Sequence, residues 1–432
     1  MAERREVTYP LVIAGGEIVD ANGRRRADVG IGADGRIAAV GDALVADRSL
    51  DATGCVVLPG LVDLHSHLRE PGGEDAETIL SGGRCAARGG FTGIVAMPNT
   101  SPAVDSAAVV RQVLDAGREA PCEVTTAAAI TVGRAGEALA PMGELADLGV
   151  RLFTDDGSGV QDGRLMRRAL EYGRGLGVTL AQHCEDAALA AGGHLHEGEW
   201  SARLGIAGQP AEAEELMVQR DLALARLTGA CMHFQHLSTA RSVAMVRAAK
   251  AEGLDVTAEA TPHHLVLTHA CCAGYDPVFK VNPPLRTDAD VAALRAGLLD
   301  GTIDVVATDH APHPAQAKER PFDQAPPGML GLEVALAVVH TELGADLGFD
   351  GIVRAMSVRP ARIAGMADQG RPVDVGEVAN LCVFDPALTW EVSADDTASR
   401  SRNNPWAGRT LTGRVRHTIF AGNPVVEDGS LA

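Results

Sequence analysis

No run of apolar residues in this chain approaches the roughly 20 needed to cross a bilayer. The charged start at Glu3, Arg4, Arg5 and Glu6 is not followed by the apolar core of a signal peptide. Membrane insertion and export are therefore not expected. No basic block is longer than Arg24-Arg25-Arg26 and the formal charge is −19, which argues against nucleic acid or anionic membrane as the main partner. An anionic ligand would have to be held by a local positive site. Eight cysteines are present, scattered from Cys55 to Cys382 without a Cys-x-x-Cys pair. That pattern predicts buried reduced thiols in a cytoplasmic protein, not a disulfide framework. Lysine is confined to Lys250, Lys280 and Lys318.

At 432 residues the chain is long enough for one barrel of about 250 residues with a smaller appendage. Residues 1–54 alternate short β-type runs with turn signals such as Asn22-Gly23 and Asp34-Gly35, which reads as a small antiparallel unit. From Cys55 the pattern changes to apolar, β-branched runs separated by segments of helical length. Candidate strands fall at Val56 to Leu64, Thr92 to Met97, Glu123 to Ala128, Val150 to Phe153, Val178 to Gln182, Cys231 to Gln235, Asp255 to Ala258 and Ile303 to Ala307. Eight βα units imply an α/β fold, a (β/α)8 TIM-type barrel with its active site at the C-terminal strand ends. The Pro-rich and charged stretch Ala311 to Gly328 reads either as a lid over the barrel mouth or as an ordinary surface loop. β-type runs return after Val378 and pair most simply with the N-terminal unit. The expected organisation is a composite β domain from 1–54 and 370–432 around a catalytic barrel at 55–369.

Polar residues at the ends of these strands carry the chemistry. In an extended segment alternate residues share a face, so His65 and His67 can present two imidazoles to one point with Arg69 continuing along it. Two histidines alone could equally be a buried, hydrogen-bonded pair. Further candidates follow strand four (Asp155-Asp156), strand five (His183), strand six (His236) and strand eight (Asp309), all at one end of the barrel. Imidazole and carboxylate suit Zn2+, and an open coordination position lets such an ion lower the pKa of water to about 7. A two-metal site needs a bridging anion. None of the three lysines lies near strand four, so no carboxylated lysine can serve there. Either an aspartate of the Asp155-Asp156 pair bridges, or the site holds a single metal. His233 is expected to face away from the mouth and pack, His263 and His264 to be structural, with a place behind the metal ligands as the alternative, and His194, His196, His269, His340 and His417 to be surface or core.

The runs Asp63 to Gly72, Met97 to Thr100, Phe153 to Gly157, His183-Cys184-Glu185, Thr261 to His264, Asn282 to Arg286, Ala307 to His313 and Pro327 to Gly331 resemble those of dihydroorotase, longer bacterial type, in the amidohydrolase superfamily. The resemblance implies that His65, His67 and Asp309 hold one metal and that His183 and His236 hold a second. Asp156 matches the bridging aspartate, and Asp155 becomes a hydrogen-bonding neighbour. Arg69, Asn99 and His313 would bind the substrate carboxylate, with Asn282 and the Pro327-Gly328 backbone around the ring. The implied activity is zinc-dependent, reversible cyclisation of N-carbamoyl-L-aspartate to dihydroorotate in pyrimidine biosynthesis, with Asp309 as proton carrier. A homodimer and a complex with aspartate transcarbamoylase are the partners it suggests. Two other classes stay open at this point: another cyclic amidase, such as a hydantoinase or allantoinase, and a scaffold partner of aspartate transcarbamoylase.

Overall fold

In the computed structural model, which describes residues 7–432, eight parallel strands form a barrel. They are Leu61–Ser66, Phe91–Ala96, Glu123–Thr126, Leu152–Thr154, Thr179–Gln182, Met232–Phe234, Val256–Ala260 and Val305–Val306. Neighbours pair in parallel around the ring, with a bridge between Ala128 and Phe153 joining strands three and four. A second bridge, from Ser66 to His310, connects the end of strand eight to strand one and closes the barrel. A helix follows every strand, for example Ile79–Arg88 after the first, Asp288–Asp300 after the seventh and Ala335–Val353 after the eighth. The charged stretch Glu3 to Glu6 lies outside the described residues. Among the described residues no helix is long and apolar enough to cross a membrane.

The strand sequences account for this arrangement. All six residues of Leu61–Ser66 are buried, as expected for a parallel strand covered by helices on one face and by the barrel interior on the other. Val62, Leu64, Val95, Ala127, Leu152, Ala181 and Val305 fill the interior, while Leu61, Ile94, Val124, Phe153 and Leu180 pack outward on the helices. Each such aliphatic side chain contributes about 1.5–3 kcal/mol relative to exposure. The interior is thus a rigid plug beneath the strand ends that carry the polar residues.

The two termini join in one seven-stranded sheet. Its order is Ser430–Leu431, Asn423–Glu427, Thr410–Phe420, Leu381–Glu391, Val56–Pro59, Glu17–Asp20 and Gly23–Arg26. A four-stranded sheet (Ile37–Gly41, Asp28–Ile31, Thr8–Ala14, Val45–Asp51) completes the appendage. The expected barrel with a composite β unit is therefore the observed architecture.

The expected first strand, Val56 to Leu64, is in fact two. Val56–Pro59 pairs with Leu381–Glu391 in the terminal sheet, so the start of the segment expected to be barrel belongs to the appendage. The chain crosses at Gly60. A Cβ there would sit 2.0 Å from Thr92 Oγ1, and the Gly60 backbone bonds Asn380 O and Ser357 Oγ, so no side chain fits. Conversely, part of the segment expected to belong only to the β unit returns to the barrel mouth. Ser399 Oγ and Arg400 N donate to Glu77, and Asn403 bonds the loop over the mouth.

Candidate active site

His65 lies in the last two residues of strand one, and the loop beyond it carries His67 and Arg69; the other candidate metal ligands, Asp156, His183, His236 and Asp309, follow strands four, five, six and eight within three residues of each strand end. These elements bring the candidates together. One cavity of about 180 Å³ is lined by His67, Arg69, Asn99, Asp156, His183, His236, Asn282, Asp309, His313, Pro327 and Gly328. His65 lies beneath its floor, fully buried.

Asp156 stands between the two histidine pairs. Its Oδ1 is 3.4 Å from His65 Nε2, 3.6 Å from His183 Nδ1 and 3.7 Å from His236 Nε2, while Oδ2 is 3.6 Å from His67 Nε2. Asp309 belongs to the first pair only, with Oδ1 2.9 Å from His67 Nε2 and 3.6 Å from His65 Nε2. Burial pushes the Asp156 carboxyl up, but the surrounding imidazoles of His65, His183 and His236 outweigh it and hold the group well below the usual carboxylate range. Asp309 is held low in the same way by His65, His67 and His236.

The donor set fits a divalent cation. His65 Nε2 and Asp156 Oδ1 are both buried without a hydrogen-bond partner, which is unusual in a packed interior and is relieved by an ion between them. Ligand atoms of His65, Asp156 and His236, and of His65, His67 and Asp309, converge within 4.8 Å in each group. Imidazole nitrogens mixed with carboxylate oxygens are the donors of a borderline-to-hard ion. Asp155 points away from this set. Its carboxylate accepts from Ile130 N, Thr131 N and Thr131 Oγ1.

Three site residues carry left-handed backbone without being glycine: Arg69 at φ +62°, His236 at +29° and Asp309 at +44°. Such conformations cost about 1–3 kcal/mol each, and here they turn side chains at strand ends into the cavity. Arg69 Nε donates to Pro312 O, one terminal nitrogen lies 3.5 Å from His313 Nε2, and the residue lines the cavity wall. Asn99 Oδ1 accepts from His67 Nδ1 at 2.9 Å, so Asn99 orients a candidate ligand as well as lining the cavity. His313 is kept neutral, pushed down to about 3 by burial, the Arg69 cation and Lys318, and its Nε2 donates to Pro327 O at 2.8 Å.

The stretch from Ala311 to Gly328 lies over the mouth. Lys318 Nζ donates to Pro277 O, Lys280 O and Pro326 O, and Gly328 N donates to Lys280 O. Asn403 Nδ2 donates to Ala311 O and Gly328 O, while its Oδ1 accepts from His313 N. The stretch contributes Ala311, His313, Pro326, Pro327 and Gly328 to the cavity wall, a placement in keeping with the lid reading.

Four supporting residues are not among the candidates that the sequence offers. Asp63, fully buried, accepts from Thr308 N and Oγ1 and ties strand one to strand eight. Glu185 Oε2 lies 3.7 Å from His183 Nε2, behind that ring. Asn403 holds the lid from 90 residues further along the chain. Glu259, buried in strand seven, meets both His65 and His233. A charged residue inside the run Val256-Thr257-Ala258-Glu259-Ala260 is the signal that was available for the last. His233 packs away from the cavity as expected but is engaged by that carboxylate. His264 is held between Thr261 Oγ1 and Pro283 O. His194, His196, His269, His340 and His417 do not line the cavity.

Residues 54–242 match the family model described as dihydro-orotase-like. The chain is 49% identical over 427 residues to a dihydroorotase of Leifsonia xyli subsp. xyli, covering 97% of each. It is 49% identical over 406 residues to a dihydroorotase of Mycobacterium tuberculosis, covering 92% of this chain and 94% of that one. Among solved structures, an L-hydantoinase from Arthrobacter aurescens superposes with a TM-score of 0.88 at 25% identity, covering 98% of this chain and 97% of the other. The hydantoinase shares the barrel and appended β unit, whereas the near-half identity along full chains lies with the dihydroorotases. The chain belongs to the dihydroorotase family and is a cyclic amide hydrolase of the amidohydrolase superfamily.

Proposed function

We propose that the chain interconverts N-carbamoyl-L-aspartate and dihydroorotate in de novo pyrimidine biosynthesis, using Zn2+. The single observation that carries this reading is the placement of Arg69 at the wall of a cavity whose floor is a His/Asp cluster. An anionic ring calls for a cation beside the reacting centre, and Arg69 lines the same cavity as the His/Asp cluster. Hydantoins and allantoin carry no ring carboxylate to engage it.

His65, His67 and Asp309 would hold one ion, His183 and His236 a second, with Asp156 between them. The bound metal supplies an acidified water and polarises the amide carbonyl. The remaining steps belong to the chain's own groups. Arg69 fixes the substrate carboxylate by parallel charge-assisted hydrogen bonds, with Asn99 and His313 beside it. Asn282 and the Pro327-Gly328 backbone enclose the ring, and the lid excludes bulk water. In the hydrolytic direction Asp309 takes the proton of the attacking water and gives it to the departing ring nitrogen; in biosynthesis it runs the transfer in reverse. Orientation by Arg69 and proton transfer by Asp309 thus act on opposite ends of one small ring.

The setting we infer is cytoplasmic, where the substrate pool and reduced thiols coincide; all eight cysteines are free. We carry forward a homodimer and a complex with aspartate transcarbamoylase as the assemblies to test, by size exclusion of the chain alone and with that partner. The functional reading itself is tested by assaying dihydroorotate hydrolysis against hydantoin and allantoin. Dihydroorotate is expected to be much the best substrate, and preference for an uncharged ring would contradict the proposal.

A further inference from the structure

Glu259 is 1% exposed in the middle of strand seven, and none of the steps above uses it. Its carboxylate meets three donors. Oε1 lies 2.6 Å from His65 Nδ1 and accepts from the His236 backbone N–H at 3.1 Å; Oε2 lies 3.0 Å from His233 Nε2. Behind His233, Thr257 Oγ1 lies 2.8 Å from His233 Nδ1. An ionised carboxylate can only accept, so His65 presents Nδ1–H and His233 presents Nε2–H. His233 Nδ1 is then an acceptor, and the Thr257 hydroxyl donates to it.

That chain of assignments fixes which nitrogen of His65 is free. A neutral imidazole carries one proton, and with that proton on Nδ1 the lone pair is on Nε2. Nε2 is the atom found buried without a partner, 3.4 Å from Asp156 Oδ1 and 3.6 Å from Asp309 Oδ1. Gln235 Nε2, 3.3 Å from His65 Nδ1, does not compete, because its amide also reaches Met97 Sδ at 3.5 Å while its Oε1 accepts from Thr154 Oγ1. Glu259 Oε1 also restrains His236, whose φ of +29° is a conformation that a non-glycine residue keeps only when held. One oxygen atom therefore anchors a histidine from each half of the cluster.

We infer that Glu259 is a positioning residue that holds Nδ1–H of His65, so that Nε2 is the nitrogen offered to an ion, and ties the two halves of the metal centre together. The inference rests on the metal-centre reading above. A carboxylate behind a ligating imidazole raises its basicity and limits its rotation, and loss of such a partner weakens metal binding by about 10–100-fold.

The test is Zn2+ affinity of the metal-stripped full-length protein, measured by competition with a chromophoric chelator, alongside thermal unfolding of the same stripped samples. Glu259→Gln keeps shape but removes the charge and is expected to weaken Zn2+ binding by about 10–100-fold, with little change in unfolding of the stripped protein. Glu259→Asp, which keeps the charge, should recover part of the loss. Thr257→Val frees His233 to change tautomer and should weaken binding by a smaller factor; if Glu259→Gln does not fold, this variant and Glu259→Asp decide. Wild-type Zn2+ affinity in the variants that fold would overturn the inference, as would a loss matched by an equal loss of metal-free stability. Absence of Zn2+ binding by the wild-type chain would instead overturn the metal-centre reading itself.

Discussion

His67 Nε2 lies 2.9 Å from Asp309 Oδ1, at the point where strand eight, closing the barrel, comes back against strand one. The contact joins residues that follow the first and the last strand of the barrel, 242 positions apart in sequence. It also places the proposed proton carrier within reach of the cavity. Asp309→Asn preserves the shape and removes the basic oxygen. The variant is expected to fold and to lose about 10²–10⁴-fold in kcat, the range associated with positioned acid–base groups. Steady-state assay on dihydroorotate checks this, and near-normal turnover would remove Asp309 from its role.

Arg69 has its Nε committed to Pro312 O and lines the cavity wall beside His313. Two charge-assisted hydrogen bonds to a carboxylate are together worth roughly 3 kcal/mol, so Arg69→Ala should lower kcat/KM on dihydroorotate by about 100-fold. Metal content should match wild type, and the residual activity on a ring without a carboxylate should be unchanged. An equal loss on both substrates would mean that Arg69 supports the fold of the site and does not read the substrate.

Lys318 pins the lid through three carbonyl oxygens. Burial pushes its ammonium down to about 7, helped by the Lys280 and Arg69 cations and opposed by Asp276. An opened lid would return the group to water and to its ordinary 10.5. Between those values the closed lid holds Lys318 as the amine, which keeps two of its three bonds, and binds fewer protons than the open one, so raising the pH through this window favours closure. Protection factors of the Glu319, Gln324 and Ala325 amides, which are bonded within the lid, should rise from pH 7 to pH 9. Lys318→Met should abolish that trend, and a fall in protection with pH would contradict the assignment.

Gly60 is the crossing from the terminal sheet into the barrel. Gly60→Ala drives a methyl into Thr92, 2.0 Å from Oγ1, at a fully buried site. A cost of about 1–3 kcal/mol is expected from overpacking. Denaturant unfolding measures it, and Thr92→Ser, which removes the Cγ2 atom of that contact, should return part of the loss in the double variant.

The sequence pattern made the barrel legible because buried parallel strands read as apolar runs at regular intervals. Pro59-Gly60 was too slight a break to separate two strands of similar composition, since periodicity does not reveal which sheet a strand joins. The candidate site was legible for a related reason. Polar residues at the ends of apolar strands all face one rim, so His65, His67, His183, His236 and Asp309 could be gathered without coordinates. Glu259 and Asp63 lie inside strands, where a charge looks like an interruption of the pattern and its partners come from other strands. Asn403 reaches the lid from the C-terminal segment through contacts that no local pattern encodes.

The most direct test of the account is metal analysis of the purified chain joined to an assay on dihydroorotate, before and after chelation and with Zn2+ restored. The account predicts stoichiometric divalent metal at one or two ions per chain, loss of dihydroorotate turnover on stripping and recovery with Zn2+. Turnover that survives complete removal of metal, or a metal-replete protein that hydrolyses hydantoin or allantoin better than dihydroorotate, would contradict it.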